Sequence, residues 1–151
     1  MNTKPPRERE SKVQKSIRIR LWHRFGIRLW RRNVAAFAIE DGIHKRRWVR
    51  AGEAGQSDLW GIDYPQQMTA REWFWGRHWE IETKAKGKRP TEKQLKWLKD
   101  MTKRGCVCFW ADNANTAERI SEAIIAGGRI VWREGPGYHP DGADFDVEMT
   151  P

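Results

Sequence analysis

The chain has almost no cysteine, no long apolar run and no recognised nucleotide or zinc motif, and each lack excludes something. Its two cysteines, Cys106 and Cys108, sit one residue apart. Neighbours on one strand face make a poor disulfide, and two thiols without paired histidines make no zinc site; both are expected to be reduced packing residues. No stretch reaches the ~18 uninterrupted apolar residues of a membrane span. The N-terminal stretch is polar and basic without the apolar core of a secretory signal, and Glu8 and Glu10 argue against an organellar transit peptide, so a cytoplasmic location is expected. There is no Gly-rich phosphate loop, no HExxH sequence and no Ser-His-Asp order. Nucleotide hydrolysis, zinc proteolysis and acyl transfer therefore find no support.

What is present is basic charge, tryptophan and one informative strand. The 151 residues suffice for one domain and carry a net charge of +9. Of the 29 Lys and Arg, 15 fall by Arg50, against 4 of the 20 Asp and Glu, so the first third carries about +11 and the remainder about −2. A basic third beside a mildly acidic remainder points to a polyanion, with nucleic acid as the leading partner. A membrane surface is the weaker candidate, because no helix pairs its basic face with a strong insertion face. Ten tryptophans are unusual in this length. Indoles stack on unpaired bases, although most tryptophans serve as core or rim packing.

Residues 1–7 read as a disordered lead-in. Val13, Ile17, Leu21 and Phe25 recur every four residues, which predicts an amphipathic helix from Glu8 to Phe25 with a basic outer face, stopped by Gly26. Ile27 to Trp30 reads as a short strand. Val34 to Glu40 and Ile43 to Arg50 read as a hairpin turning at Asp41-Gly42. A glycine-bearing loop (51–55) precedes a strand over Ser57 to Ile62. Tyr64 to Gly76, with its Trp73-Phe74-Trp75 cluster, reads as the far part of a hairpin returning through Lys84. A helix over Thr91 to Arg104, a strand over Cys106 to Trp110, a helix capped by Asn113 or Asn115 and running to Ala126, and a short strand over Ile130 to Trp132 follow. The domain is thus expected to span 8–132, and 133–151, rich in Gly, Pro and Asp, to form an irregular tail.

Trp79-Glu80-Ile81-Glu82-Thr83-Lys84 alternates apolar and charged residues with the period of a half-buried strand. Glu80, Glu82 and Lys84 then share one pleat face. Hydrolysing a phosphodiester needs an activated water, relief of charge on the phosphorane-like transition state and help for the leaving oxygen. Mg²⁺ or Mn²⁺ held by one or two carboxylates supplies all three. Asp58 and Glu82 are the expected ligands, with the Thr83 carbonyl completing the shell, and Lys84 the expected partner of the scissile phosphate or attacking water.

Gly55-x-Ser57-Asp58-Leu59-x-Gly61, Glu82-x-Lys84 and Gln94 on the following helix resemble the PD-(D/E)xK nuclease signature, and more narrowly the virus-type replication-repair nuclease (VRR-NUC) domain. Glu10, Arg32-Asn33 and the strand from Gly105 to Trp110 match further parts of that pattern, so the resemblance covers roughly 8 to 126. Ser57 stands where proline is usual, which bears on loop shape rather than chemistry, and Thr83 where an apolar residue is usual. The resemblance implies an α/β, restriction-endonuclease-like core with a mixed central sheet flanked by helices. It also implies Glu10 and Gln94 as site residues beside Asp58, Glu82 and Lys84, and a Mg²⁺- or Mn²⁺-dependent endonuclease acting on branched DNA as a homodimer, in a bacterial or phage-infected cell. Lys86, Lys88, Arg89, Lys93 and Lys96, with Arg32 and Asn33, are the expected nucleic-acid contacts, positioning a substrate by its phosphates.

Bland readings stand beside these. Asp58 caps a turn, Glu82 and Lys84 form an inconsequential charge pair, Glu10 pairs with basic helical neighbours, and Gln94 closes a capping box with Thr91. Glu80 reads as a solvated neighbour in preference to a second ligand, and His78 as an ordinary polar strand residue. A basic nucleic-acid-binding protein without catalysis is the competing function.

Overall fold

The computed structural model describes residues 9–32, 36–39, 47–50, 52–63, 76–133 and 144–149, with 36–39 and 47–50 as backbone alone. The 1–7 lead-in, Asn33, the Asp41-Gly42 turn and the Trp73-Phe74-Trp75 cluster lie outside the described residues.

Helix α1 (Glu10–Phe25) forms on the expected four-residue spacing, burying Val13, Ile17 and Leu21. Gly26 ends it in the left-handed region at φ 69°, and the amides of Gly26 and Ile27 cap the Trp22 and Leu21 carbonyls. Glu10 lies one turn before Val13 and Gln14 on the same stripe, so the helix start faces the sheet as well. Strand β1 (Arg28–Arg31) follows. Strands β2 (Ala36–Ile39) and β3 (Arg47–Arg50) pair antiparallel as expected, but Ile39 pairs with Arg47. A two-residue turn at Asp41-Gly42 would pair Ile39 with His44, so the observed register of the two strands differs from the one expected.

Strands β4 (Leu59–Ile62) and β5 (His78–Thr83) are the expected antiparallel pair. Their open ends are tied by Asp63, which is buried and accepts from the Arg77 amide at 2.9 Å and its guanidinium at 2.6 Å and 2.9 Å. Helix α2 (Glu92–Lys103) then crosses over to β6 (Val107–Ala111), which runs parallel to β5. Sheet order is β1-β4-β5-β6, a mixed sheet flanked by helices. Helix α3 (Ala114–Ile125) begins at Asn113, whose side chain accepts from the Thr116 amide at 2.8 Å.

The two sheet faces are chemically distinct. On one, Leu29, Leu59, Trp79, Ile81, Val107 and Phe109 pack with the apolar sides of α1 and α3. Trp79 meets Phe109 edge-on at 6.3 Å between ring centroids. The other face carries Trp30, Trp60, Glu80 and Glu82, and α2 covers its β5 and β6 half. Strand β5 is consequently buried on both sides, with Glu80 and Glu82 at 1% and 0% exposure, and not half-buried as its alternation suggested. Alternation here separates hydrocarbon from a polar interior rather than from water.

The tail differs from expectation too. Strand β8 (Phe145–Met149) pairs antiparallel with β7 (Gly128–Trp132), so 133–151 is not irregular throughout. Phe145 lies against Trp132 and Phe109, at 5.1 Å and 6.4 Å between centroids, and Phe145 and Val147 pack on the core. A short alternation of Phe145, Val147 and Met149 outweighs the surrounding Gly, Pro and Asp once a partner strand is present. Among the described residues, no helix is long and apolar enough to cross a membrane.

Candidate active site

Asp58 sits immediately before β4, and Glu82 near the end of its neighbour β5, so pairing of the two strands brings them to one end of the sheet. Gly55 shapes the approach. At φ 96° it favours glycine, and a Cβ there would lie 2.7 Å from the Lys93 carbonyl oxygen, so the loop before Asp58 rests directly on the α2 backbone. Asp58 Oδ2 accepts from the Thr83 amide at 3.0 Å and the Thr83 hydroxyl at 2.7 Å. Thr83, expected through its carbonyl, thus orients Asp58 through its amide and side chain.

Glu82 is fully buried. Its Oε1 accepts from the Lys84 ammonium and the Gln94 amide, while Oε2 is buried with no hydrogen-bond partner. The Gln94 amide does both things expected of it as alternatives. Its Oε1 accepts from the Thr91 amide at 2.9 Å, closing the capping box, while its Nε2 reaches Glu82. Glu10 arrives from α1 close enough to Asp58 and Lys84 for both charges to act on its carboxyl. The structure therefore brings Glu10, Asp58, Glu82, Thr83, Lys84 and Gln94 together.

The electrostatics are those of crowded like charges. Burial foremost, and then the Asp58 carboxylate, push Glu82 up to about 7 against the pull of Lys84. Burial likewise raises the Glu10 carboxyl above its ordinary range, with Lys84 opposing and Asp58 adding. Three carboxylates and one ammonium leave two negative charges unbalanced when all ionise. A hard divalent cation fits this donor set, because the unpartnered Glu82 Oε2 offers a buried anionic oxygen beside Asp58. Among the described residues no three acidic, histidine or cysteine side chains close into a ligand cage. Mg²⁺ requires none, since one or two carboxylates hold it while it keeps several waters.

Comparison with family models, curated proteins and solved structures gives no match. The likeness to the nuclease pattern rests on the residues themselves.

A second cluster went unread in the sequence. Arg32 was expected to contact nucleic acid, but its guanidinium binds Glu80 in a two-point salt bridge, at 2.8 Å and 2.9 Å, and lies over Trp60. That commitment replaces the phosphate contact. Glu80 also accepts from the buried Ser57 hydroxyl, contacts His78 Nε2 at 2.7 Å and accepts from Trp97 Nε1 at 3.4 Å. Burial would raise the Glu80 pKa, but the Arg32, His78 and Ser57 hydrogen bonds outweigh it and hold the group below its usual range. Glu80 is thus no solvated neighbour and Ser57 more than a loop-shaping substitute for proline, while His78 is a polar strand residue at the start of β5, as expected. The available signals were Glu80 two residues from Glu82 and a hydroxyl at position 57.

The expected phosphate contacts divide. Lys86, Lys88, Lys93 and Lys96 are exposed around the end of β5 and along α2. Arg89 is ion-paired with Asp144, and Asn33 lies outside the described residues. Cys106 and Cys108 are free thiols, both pushed up by burial, in keeping with a packing role.

Proposed function

We propose that the protein is a divalent-metal-dependent DNA endonuclease with a restriction-endonuclease-like core of the VRR-NUC kind, acting on branched DNA such as junctions or flaps. The observation that carries this reading is the convergence of Asp58, Glu82 and Lys84 at one sheet end with a buried carboxylate oxygen left unpartnered. A bound divalent ion would polarise the phosphodiester and lower the pKa of an attacking water. Asp58 and Glu82 would hold that ion, Thr83 keeping Asp58 oriented and Gln94 keeping Glu82 oriented. Lys84 places an ammonium where a phosphate gains negative charge under attack, a position worth about 100-fold or more in rate for a comparable donor. Glu10, its carboxyl raised by burial and lying beside Asp58, is suited to exchange a proton at the site's edge. The exposed lysines beyond β5 and on α2 supply phosphate contacts indifferent to sequence.

The test is a panel of supercoiled, flapped and four-way-junction DNA incubated with Mn²⁺ or with EDTA. Wild-type protein is expected to nick in Mn²⁺ alone. Asp58→Ala and Lys84→Ala are expected to lose nicking by about 100-fold or more while keeping DNA binding in EDTA. Full activity in either variant removes this site, and binding without metal-dependent nicking by the wild type leaves a nucleic-acid-binding protein without catalysis.

A further inference from the structure

We infer that the indole row on β1 and β4 is a binding site for unpaired nucleobases, which makes single-stranded segments of a polynucleotide the ligand recognised beside the carboxylates. The inference deepens the nuclease reading and takes its polynucleotide from it.

Trp30 and Trp60 stand directly opposite each other across the β1–β4 pair, their rings stacked at 5.1 Å and 29°. Trp60 in turn stacks on His78 of β5 at 6.2 Å and 23°. Three flat rings from three adjacent strands thus form one row on the polar sheet face. Cations flank it, with the Arg28 guanidinium 5.5 Å from the Trp30 centroid and Arg32 5.9 Å from that of Trp60. Trp30 is 37% exposed, and Arg28, two residues before it on the same strand face, is exposed beside it.

Core packing does not account for a tryptophan at this exposure with arginines around it, and an apolar peptide would gain nothing from the cations. A nucleotide uses both features. Every base has a π face to lay on an indole, and its phosphates answer the exposed Arg28 guanidinium. Bases in a duplex are already stacked on each other and offer only their edges, so the row selects unpaired ones. The site also adjoins the carboxylates. The Arg32 amide donates to the Asp58 carbonyl at 2.7 Å, and Trp60 lies two residues past Asp58, about 7 Å of extended strand. A base on this row therefore brings a neighbouring phosphodiester toward Asp58.

The test measures binding of the full chain in EDTA by fluorescence anisotropy. The probes are one blunt duplex, the same duplex with a short oligo-dT overhang, and the same with an oligo-rU overhang. Wild-type protein is expected to bind at least one overhang about tenfold more tightly than the blunt duplex, consistent with the stacking of a single base. Trp30→Ala is expected to abolish that preference with little change on the blunt probe, and Trp30→Phe to retain most of it. The two overhangs identify DNA or RNA as the source of the base. Equal wild-type affinity for all three probes, or equal weakening of all three by Trp30→Ala, overturns the inference. Should Trp30→Ala misfold by circular dichroism, photocrosslinking of wild-type protein to an iodouracil-bearing overhang decides: adducts on Trp30 or Trp60 support the site, and adducts on neither overturn it. Loss of wild-type nicking in Mn²⁺ with the overhang preference intact would remove the nuclease reading alone, and the converse would remove only the base site.

Discussion

Among the described carboxylates, Glu82 is the one on which charge is most costly. Its pKa near 7, set first by burial and then by Asp58, means that between its ordinary value of 4.5 and about 7 the folded chain holds a proton that the unfolded chain releases. Stability in EDTA should therefore fall as pH rises through that window and level off above it, while below 4.5 both states are protonated and the penalty is absent. The full shift corresponds to at most about 3 kcal/mol. Glu82→Gln, which cannot ionise, is expected to melt above the wild type at pH 8 in EDTA, with the gap closing toward pH 4.5. Thermal melts at the two pH values check this, and a gap of constant size would show that ionisation of Glu82 is not its source. Glu80, equally buried, behaves differently because Arg32, His78 and Ser57 all stabilise its anion. Neighbours, rather than depth, separate these two carboxylates.

Secondary-structure elements tie the site to the fold most tightly at the start of α2. Gln94 closes the cap of that helix and also holds Glu82, so helix formation and site geometry share one amide. Thr91→Ala is expected to destabilise the chain by about 1 kcal/mol and to lower cleavage severalfold by freeing Gln94, with Thr91→Ser restoring both. Urea denaturation alongside the nicking assay tests the pair, and unchanged cleavage would uncouple the cap from the site. At the other end of the chain, Phe145 fills a half-buried position between Phe109 and Trp132. Phe145→Ala should cost about 2 kcal/mol, below the range for a fully buried ring. A change within a few tenths of a kcal/mol in urea denaturation would mean that β8 adds nothing to the core. Elements with internal signals were legible in the sequence: α1 from its four-residue spacing and Gly26, α2 from Thr91 and Gln94, α3 from Asn113, and the β4–β5 hairpin from its alternating residues. Strand β8 was not, because five residues among Gly, Pro and Asp carry too little periodicity without the partner that pairs them.

Across the whole molecule, the gap between sequence and structure is one of long-range register. Asp58, Glu82 and Lys84 were legible because residue parity fixes a strand face and the Glu-x-Lys spacing runs from the end of β5 to the residue just past it. The Arg32–Glu80–Ser57 cluster was not, because it needs the alignment of Trp30, Trp60 and Glu80 across three strands separated by long connections. The charge distribution gives a prediction at this same scale. Lys86, Lys88, Lys93 and Lys96 are exposed and belong to the region around α2, so DNA affinity is expected to fall steeply with salt. Each Lys→Ala change that removes a phosphate contact should reduce the magnitude of the log–log slope by about 0.9. Titrations at several ionic strengths measure it, and slopes identical to wild type in all four variants would place the polyanion elsewhere on the surface.

The two-sided character of β5 bears on how the chain folds. If β5 slipped by one residue against β4, Glu80 and Glu82 would enter the hydrocarbon between α1 and α3, and Trp79 and Ile81 would displace them from the polar side. Such a misaligned intermediate would bury unpaired anions and lose its main apolar contacts together. Glu82, proposed for chemistry, and Glu80 beside it would thereby also penalise a misaligned strand.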